Sequence, residues 1–202
     1  MPKISAIKQQ VKRADRYSIY VDKKYTFSLS ESELLVTGLR IGQEFTEAEL
    51  NDLKDKAVID KAYDRALNLI MRRPRSEWEI RDYLKRKEYE ETIIQKIVNR
   101  LSKRGYIGDR DFATRWVESR RLLKSASKRR LQQELRQKRV ADEIIQEVLE
   151  ADETDKREVL RELVNKKRQQ TKYQDNLKLM QYLSRQGYNY HDIKSVMDED
   201  EA

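Results

Sequence analysis

The sequence predicts a mainly α-helical protein, in which tandem three-helix repeats form an elongated, curved array behind a small N-terminal region that contains a β-hairpin. The first observation is an internal repeat, because residues 76–98 match residues 127–149 without a gap after a shift of 51 positions. The second is a looser third copy at residues 175–197. The third is a period-two alternation of apolar residues in the first thirty positions, which is typical of strands. Repeats of roughly 20–50 residues build arrays that present a long surface to a partner, so the sequence indicates a binding protein before an enzyme.

The matched positions of the repeat are mostly apolar, as expected of side chains that form a core. The matched pairs of the first and second copies include Ser76 and Ser127, Ile80 and Leu131, Leu84 and Leu135, Ile94 and Ile145, and Ile97 and Val148. In the third copy the corresponding apolar residues are Leu179, Leu183, Tyr188, Ile193, Val196 and Met197. Each unit is therefore expected to bury its apolar face partly against its neighbours.

The N-terminal region is expected to fold as a hairpin around Asp22-Lys23. The alternating apolar residues on its two strands are Tyr17, Ile19 and Val21, then Tyr25, Phe27 and Leu29. The turn lacks the favoured glycine, so the sequence leaves the turn type open.

Capping signals place the first helices. Ser30 with Glu33, Thr46 with Glu49 and Ser76 with Glu79 have the spacing of a capping box, which marks a helix start. Gly38 and Pro74 are stop signals, and they predict a short first helix and a long second helix over residues 47–72. A further helix is predicted over residues 90–104, and Asp109 is expected to cap the next one.

These signals divide the chain into four parts. Residues 1–50 are predicted to form the hairpin and a short helix, and residues 51–110 the first three-helix repeat. Residues 111–155 and 156–202 are predicted to form the second and third repeats.

Composition excludes several classes of protein. The chain has no cysteine, which removes disulfide and thiol chemistry and fits a reducing cytoplasm. No run of 18 apolar residues is present, so no membrane-spanning helix is expected, and the N-terminus lacks the apolar core of a signal peptide.

No motif of catalysis is evident. The single histidine, His191, excludes metal sites made of histidine and cysteine, and it is expected to be structural. The sequence contains no phosphate-binding loop, no dinucleotide fingerprint and no nucleophile elbow. We therefore expect no enzyme activity, no catalytic residue, no metal and no cofactor.

The positive charge is concentrated in the middle of the chain. Residues 61–140 carry 24 basic and 11 acidic side chains, whereas residues 141–202 carry 10 and 15. A basic centre of this kind indicates a polyanionic partner, either nucleic acid or an acidic protein surface.

Basic clusters at predicted helix ends and junctions are the candidate binding residues. The candidates are Arg72, Arg73, Arg75, Lys85, Arg86, Lys87, Lys103, Arg104, Arg120, Arg121, Lys124, Lys128, Arg129 and Arg130. Cations in a last helical turn are favoured by the helix dipole at about 0.3–1 kcal/mol each, so the helix-end lysines have a structural explanation. The junction clusters Arg72–Arg75 and Lys124–Arg130 exceed that need, and they are expected to contact an anion.

Two segments resemble the signature of RecX-type regulators of the bacterial RecA recombinase. They are Arg73-Pro-Arg-Ser-Glu-Trp-Glu-Ile-Arg-Asp-Tyr-Leu-Lys-Arg-Lys87 and Leu101-Ser-Lys-Arg-Gly-Tyr-Ile-Gly-Asp-Arg-Asp-Phe-Ala-Thr-Arg-Trp116. The resemblance covers residues 60–200, and residues 1–50 are similar to the N-terminal part of longer family members. Members usually have glycine after the lysine of the second helix of each repeat. This chain departs from that pattern at Glu88 and Arg139 and keeps the glycine only in the third repeat, at Gly187.

The resemblance implies a non-enzymatic inhibitor that lies in the groove or at the end of a RecA filament on single-stranded DNA. It implies suppression of strand exchange, of the filament's ATPase and of its co-protease activity, with roles in homologous recombination, DNA repair and the SOS response. The implied partners are the RecA filament and, weakly, single-stranded DNA. We expect a cytoplasmic monomer with no membrane partner.

The alternative class is a stand-alone DNA-binding protein that acts without a recombinase and largely without sequence preference. Three-helix units with a basic face are common among such proteins. Salt dependence distinguishes the two classes, because binding driven by phosphate contacts weakens steeply as salt rises.

Overall fold

The N-terminal residues form a three-stranded antiparallel sheet in the computed structural model, which describes residues 1–124 and 126–200. The strands are β1 (Ile4–Gln10), β2 (Arg13–Val21) and β3 (Lys24–Ser30), in that order across the sheet. Ile19, Phe27 and Leu29 are buried, as the alternation predicted. The predicted hairpin is confirmed as β2 and β3, and β1 extends it.

The turn between β2 and β3 explains how a hairpin forms without glycine. Asp22 and Lys23 have φ angles of 47° and 66°. Two positive φ angles at the centre of a two-residue loop match the twist of the flanking strands, and Asp tolerates this conformation better than most residues.

Two compact units make up the chain, and the first contains the sheet. It comprises Met1–Pro74 and Ile80–Tyr106. Its helices are α1 (Glu31–Thr37), α2 (Glu47–Arg72), the greater part of α3 (Glu77–Lys85), and α4 (Glu91–Lys103). Gly38 ends α1 with a φ of 62°, and a complete capping box between Thr46 and Glu49 begins α2. These helix starts and stops confirm the capping predictions.

A buried arginine joins the sheet to α2. The Arg16 guanidinium donates to Asp60 at 3.0 Å, to the Ser28 carbonyl at 3.0 Å and to Asp64. Asp60 also accepts the backbone N–H and the hydroxyl of Ser30, at 2.8 and 2.6 Å. Because each buried charge has hydrogen-bonding partners, the group orients the sheet on the helix without an unpaired ion.

The second unit contains Arg75–Glu79 and the chain from Ile107 onward. Its helices are α5 (Asp109–Lys124), α6 (Lys128–Gln137), α7 (Asp142–Glu150), α8 (Lys156–Arg168), α9 (Asn176–Arg185) and α10 (Tyr190–Asp200). A short 3₁₀ turn spans Thr171–Tyr173. One apolar core is formed by side chains of residues 112–149 and another by side chains of residues 160–197.

The repeated apolar positions are buried in all three copies. Fully buried residues on the second and third helices of the repeats are Ile80, Leu84, Ile94 and Ile97, then Leu131, Leu135 and Ile145, then Leu179, Leu183 and Ile193. The prediction of tandem three-helix repeats is confirmed, because the residues that match between copies are the residues that form the cores.

Two buried serines link successive repeats by the same pair of hydrogen bonds. Ser76 accepts the N–H of Glu79 at the start of α3 and donates to the Lys138 carbonyl at the end of α6, at 2.9 Å. Ser127 accepts the N–H of Arg130 and donates to the Gln186 carbonyl at the end of α9, at 2.6 Å. Each hydroxyl therefore caps its own helix and also bonds to the next repeat.

A residue with a left-handed backbone follows the end of the second helix of each repeat, which is α3, α6 or α9. Glu88, Arg139 and Gly187 occupy equivalent positions with φ angles of 62°, 57° and 89°. At Gly187 a Cβ would lie 2.6 Å from the Ser127 hydroxyl oxygen, whereas the equivalent Arg139 carries its side chain in this conformation. Glycine is therefore required at 187 both by the backbone angle and by the approach of the serine.

The prediction for Asp109 was wrong in detail. Asp109 is the first residue of α5, and its carboxylate accepts the backbone N–H of Glu77 at 2.8 Å. It thus caps the start of α3, not that of its own helix. Burial raises the pKa of the Asp109 carboxyl above its ordinary value.

Replacing Gly187 should destabilise the second unit. In Gly187→Ala we expect a loss of about 2 kcal/mol or more, because a left-handed L-residue costs about 1–2 kcal/mol and the methyl group meets the Ser127 hydroxyl. Urea unfolding followed by tryptophan fluorescence reports this unit, since Trp78 and Trp116 both lie in it.

Arg139→Ala is the matched control for that substitution, because position 139 already holds an L-residue with positive φ. We expect its unfolding midpoint to stay close to that of the wild type. Equal midpoints for Gly187→Ala and the wild type would contradict the requirement for glycine.

Candidate anion-binding surface

The candidate cations of the first unit lie at three helix ends and are exposed. Arg72 and Arg73 are at the end of α2, Lys85, Arg86 and Lys87 at the end of α3, and Lys103 and Arg104 at the end of α4. Their positions follow from the capping pattern, because the last turn of a helix leaves carbonyl groups that favour a nearby positive charge.

Several of these cations make weak contacts at the surface. Arg86 pairs with Asp82 at 2.8 Å, and Arg104 donates to the Tyr63 hydroxyl at 3.1 Å. Arg73 donates to the Pro74 carbonyl at 3.0 Å. Exposed ion pairs contribute about 0–1 kcal/mol, so an anionic partner can compete for these side chains.

Arg72 lies beside two arginines that the sequence did not single out. Arg13 of β2 and Arg65 of α2 line the same cleft as Arg72, together with Tyr83 of α3. Arg65 precedes Arg72 by seven residues, or two helical turns, a spacing that could have revealed that they share a face. Arg13 comes from a distant strand, and no signal in the sequence brings it there.

Glu134 organises the candidate cations of the second unit. Its carboxylate accepts from Arg120 at 2.7 Å, from the Trp116 indole at 2.9 Å and from Arg130 at 3.1 Å. The Arg120 guanidinium also lies 4.3 Å from the Trp116 ring centroid. Burial raises the pKa of Glu134, but these three donors outweigh it and hold the pKa below its ordinary value.

A second carboxylate extends this group toward the start of α3. Glu79 accepts from Lys138 at 3.0 Å and pairs with Arg75 at 3.5 Å. Lys138 in turn lies 5.4 Å from the Trp116 ring centroid. Arg75 and Arg120 are half-buried and therefore have a structural role as well as a charge.

Arg121 is a structural residue. Its guanidinium pairs with Asp152 at 2.5 Å and also donates to the Ala126 carbonyl, and the side chains of the pair are only 9% and 7% exposed. Burial raises the pKa of Asp152, but the hydrogen bonds from Arg121 and Thr154 hold it below its ordinary value. A buried pair of this kind is not available to a ligand.

The remaining candidates lie at the start of α6. Lys128 donates to the Leu149 carbonyl at 3.0 Å, and Arg129 is exposed without an ion pair or hydrogen bond to any other described side chain. The side chain of Lys124 lies outside the described residues. Arg129 is exposed and Arg130 is 44% exposed, so an external anion could reach both.

Residues 1–124 and 126–200 contain neither a metal-binding cluster nor a membrane-spanning helix. No group of three or more histidine, cysteine, aspartate or glutamate side chains in this part could hold a metal ion. None of its helices is both long enough and apolar enough to cross a bilayer. His191 is exposed on α10.

Tandem three-helix repeats, an N-terminal antiparallel sheet and cations gathered at helix ends define the class: a helical-repeat protein with a basic surface. Three family profiles match the chain in order. Regulatory protein RecX N-terminal domain matches residues 2–46, RecX first three-helix domain matches 62–101, and RecX second three-helix domain matches 109–149. Together they cover more than half of the chain. The chain belongs to the RecX family of regulatory proteins, as its motifs predicted.

Curated relatives agree with this assignment. Regulatory protein RecX of Listeria monocytogenes serotype 4a is 37% identical over 148 residues, which are 73% of this chain and 55% of that protein. Regulatory protein RecX of Bacillus subtilis is 29% identical over 206 residues, covering 98% of this chain and 77% of the relative. The match to the Listeria protein thus spans little more than half of its length.

Solved structures share the fold. A crystal structure of a regulatory protein RecX has a TM-score of 0.69 at 27% identity and covers 98% of this chain and 100% of its own. RecX from Lactobacillus salivarius has a TM-score of 0.59 at 24% identity, covering 70% of this chain and 95% of that one.

The distinction between structural and exposed arginines can be measured. Arg121→Met should cost roughly 3–5 kcal/mol, because it leaves the buried Asp152 without its counter-charge. Arg129→Met, the matched control, should change stability by less than about 0.5 kcal/mol. Urea unfolding followed by tryptophan fluorescence checks both, and similar midpoints for the two variants would contradict the assignment.

Acid should weaken the cluster around Glu134. Because its folded-state pKa lies below the unfolded value, Glu134 stabilises the fold above the unfolded pKa, and this contribution is lost as pH falls through the folded pKa. The difference in unfolding free energy between the wild type and Glu134→Gln should therefore shrink from about pH 7 toward about pH 3. Circular dichroism during urea unfolding measures it.

The control for this experiment is Glu143→Gln, an exposed residue of α7. It should retain the acid dependence of the wild type. A constant difference between the wild type and Glu134→Gln at every pH would contradict the lowered pKa of Glu134 in the folded state.

Proposed function

We propose that this chain is a non-enzymatic regulator of a RecA-type recombinase and acts as an inhibitor of its filament on single-stranded DNA. The observation that carries the proposal is the match of three RecX profiles, in order, along one chain. Regulation here means binding in the groove or at the end of the filament, with suppression of strand exchange, ATPase and co-protease activity. The proposed partners are the filament and, weakly, single-stranded DNA, and the proposed form is a cytoplasmic monomer.

The charge distribution supports a partner of this kind. Residues 61–140 carry an excess of 13 positive charges, and the exposed candidates among them lie at the ends of α2, α3 and α4 and at the start of α6. A filament on DNA offers anions at regular spacing, both phosphates and acidic side chains. A repeat protein can bind regularly spaced anions through equivalent positions of its successive repeats. The proposed repeats of this chain are residues 51–110, 111–155 and 156–202.

We assign the direct anion contacts to the exposed cations, including Arg72, Arg129 and Arg130. Arg121 is left out of this set because its guanidinium is already paired and buried. The half-buried Arg75 and Arg120 are proposed to position the surface through Glu79 and Glu134.

The first experiment is the DNA-dependent ATPase of a bacterial RecA recombinase titrated with this protein. We expect turnover to fall at ratios well below one protein per recombinase, because one bound molecule would affect several filament subunits. Binding to naked DNA under the same conditions must be too weak to sequester the strand. Unchanged turnover at equimolar protein would contradict the proposal.

Substituting Arg129 and Arg130 tests the assigned surface. Arg129→Glu combined with Arg130→Gln should raise the half-inhibitory concentration roughly tenfold or more, because a charge-assisted hydrogen bond contributes about 1.5–3 kcal/mol. Glutamine at 130 avoids placing a second carboxylate beside Glu134. Lys166→Glu combined with Lys194→Gln, an equal change of three charges at exposed residues of α8 and α10, is the control. Equal inhibition by both folded variants would remove the assignment.

The second candidate function is stand-alone DNA binding, which the exposed Arg129 and the cluster at Arg72 favour. It predicts naked-DNA affinity strong enough to account for any effect on the recombinase. It also predicts a salt dependence with a slope of about −0.9 per phosphate contact on duplex and about −0.7 on single strands. An ATPase effect that appears only when DNA is sequestered would favour this candidate.

A further inference from the structure

A small cleft in the first unit is lined by cations, an amide, an apolar side chain and an aromatic ring. Its volume is about 330 Å³, and its lining residues are Arg13 of β2, Arg65, Asn68, Leu69 and Arg72 of α2, and Tyr83 of α3. This volume lies at the lower end of the range of small-molecule pockets, about 300–1,000 Å³. Among the described residues, three guanidinium groups and no carboxylate line the cleft.

Two of the arginines are oriented by contacts that leave donors unused. Arg13 donates to Asp15 through Nε and one terminal nitrogen, at 3.3 and 2.7 Å, and it pairs with Asp64 at 3.6 Å. Arg65 donates through one terminal nitrogen to the Tyr89 hydroxyl at 3.1 Å and lies 5.7 Å from that ring's centroid. A guanidinium has five N–H donors, so both side chains are held in place and can still bind a ligand.

Arg72 contributes an exposed positive charge to the cleft. It is exposed and has no ion pair or hydrogen bond to another residue within 1–124 and 126–200. Lys87 brings a further cation close by, since its ammonium lies 6.0 Å from the Tyr83 ring centroid. A planar guanidinium fork matches two oxygens of a phosphate group, which makes arginine clusters suited to phosphate recognition.

We propose that this cleft binds one nucleotide unit of a single strand, with the phosphate on Arg65 and Arg72 and the base against Tyr83 and Leu69. Arg13 closes the phosphate side, and Asn68 offers an amide at the edge. A base can reach an aromatic ring in a cleft of this size only when it is out of a duplex stack, so the ligand is single-stranded. This inference rests on one part of the proposed function, the weak binding of single-stranded DNA, and it assigns that binding to the cleft.

The test measures binding of a fluorescent oligothymidine, about 15 nucleotides long, to the full chain without any recombinase. Arg72→Glu should weaken binding roughly tenfold or more and reduce the salt slope by about 0.7 for a lost phosphate contact. Tyr83→Leu should weaken binding by about 5- to 150-fold with little change of salt slope, because base stacking contributes about 1–3 kcal/mol. Tyr83→Phe keeps the ring and should bind within about twofold of the wild type.

Arg40→Glu is the matched control, because Arg40 is exposed in the same unit and does not line the cleft. It should retain most of the affinity. Equal losses in Arg40→Glu and Arg72→Glu would overturn the inference, since binding would then depend on net charge alone. Full affinity in folded Tyr83→Leu would overturn the base contact, and the exposed Arg72 tests the phosphate contact even where Tyr83→Leu does not fold.

The recombinase assay separates this inference from the proposed function. Loss of single-strand affinity in the cleft variants, with no ATPase inhibition by the wild type, would retain the cleft and reject the recombinase proposal. ATPase inhibition by the wild type, with single-strand affinity unchanged in Arg72→Glu, would reject the cleft and retain the regulator.

Discussion

The hydroxyl group that joins successive repeats is the constraint on which the array depends. Ser76 and Ser127 are buried, and each uses its oxygen to cap a helix and its proton to bond a carbonyl at the end of a helix in the next repeat. Because a buried hydroxyl without a partner costs about 1–3 kcal/mol, this bond fixes each helix start against the repeat that follows. The close approach at Gly187 and the left-handed backbone at Arg139 belong to the same junctions.

The same junctions bring the cations together. α3 starts beside the end of α6, so Glu79 can pair with Lys138, and Lys138 lies over the Trp116 ring that Arg120 also covers. Many arginines can lie close together here because carboxylates on neighbouring helices pair with some of them, while the others remain exposed to solvent. The paired members stiffen the surface, and the exposed members give it its positive potential.

Much of the fold could be predicted from the sequence because the apolar spacing repeats. The positions of Ile80, Leu131 and Leu179 show periodicity, so their burial follows from pattern alone. The buried group around Arg16 could not be predicted, since one arginine among 44 basic residues carries no local sign of its partners 44 and 48 positions away. The roles of the candidate arginines could not be predicted for the same reason. Arg120 and Arg121 are adjacent in sequence, yet the partner of Arg120, Glu134, lies on α6 and the partner of Arg121, Asp152, lies in the loop between α7 and α8.

The acceptor in the serine bond is a main-chain carbonyl, which every residue type supplies. The bond therefore does not depend on the side chain at the acceptor position, where Lys138 and Gln186 differ. It requires the serine hydroxyl and, at 187, the space that a glycine leaves. At the equivalent position of the third repeat is Asp175, whose carboxylate accepts the N–H of Lys178 but has no proton to donate. Asp175 thus caps its own helix without the second bond that Ser76 and Ser127 make to a carbonyl.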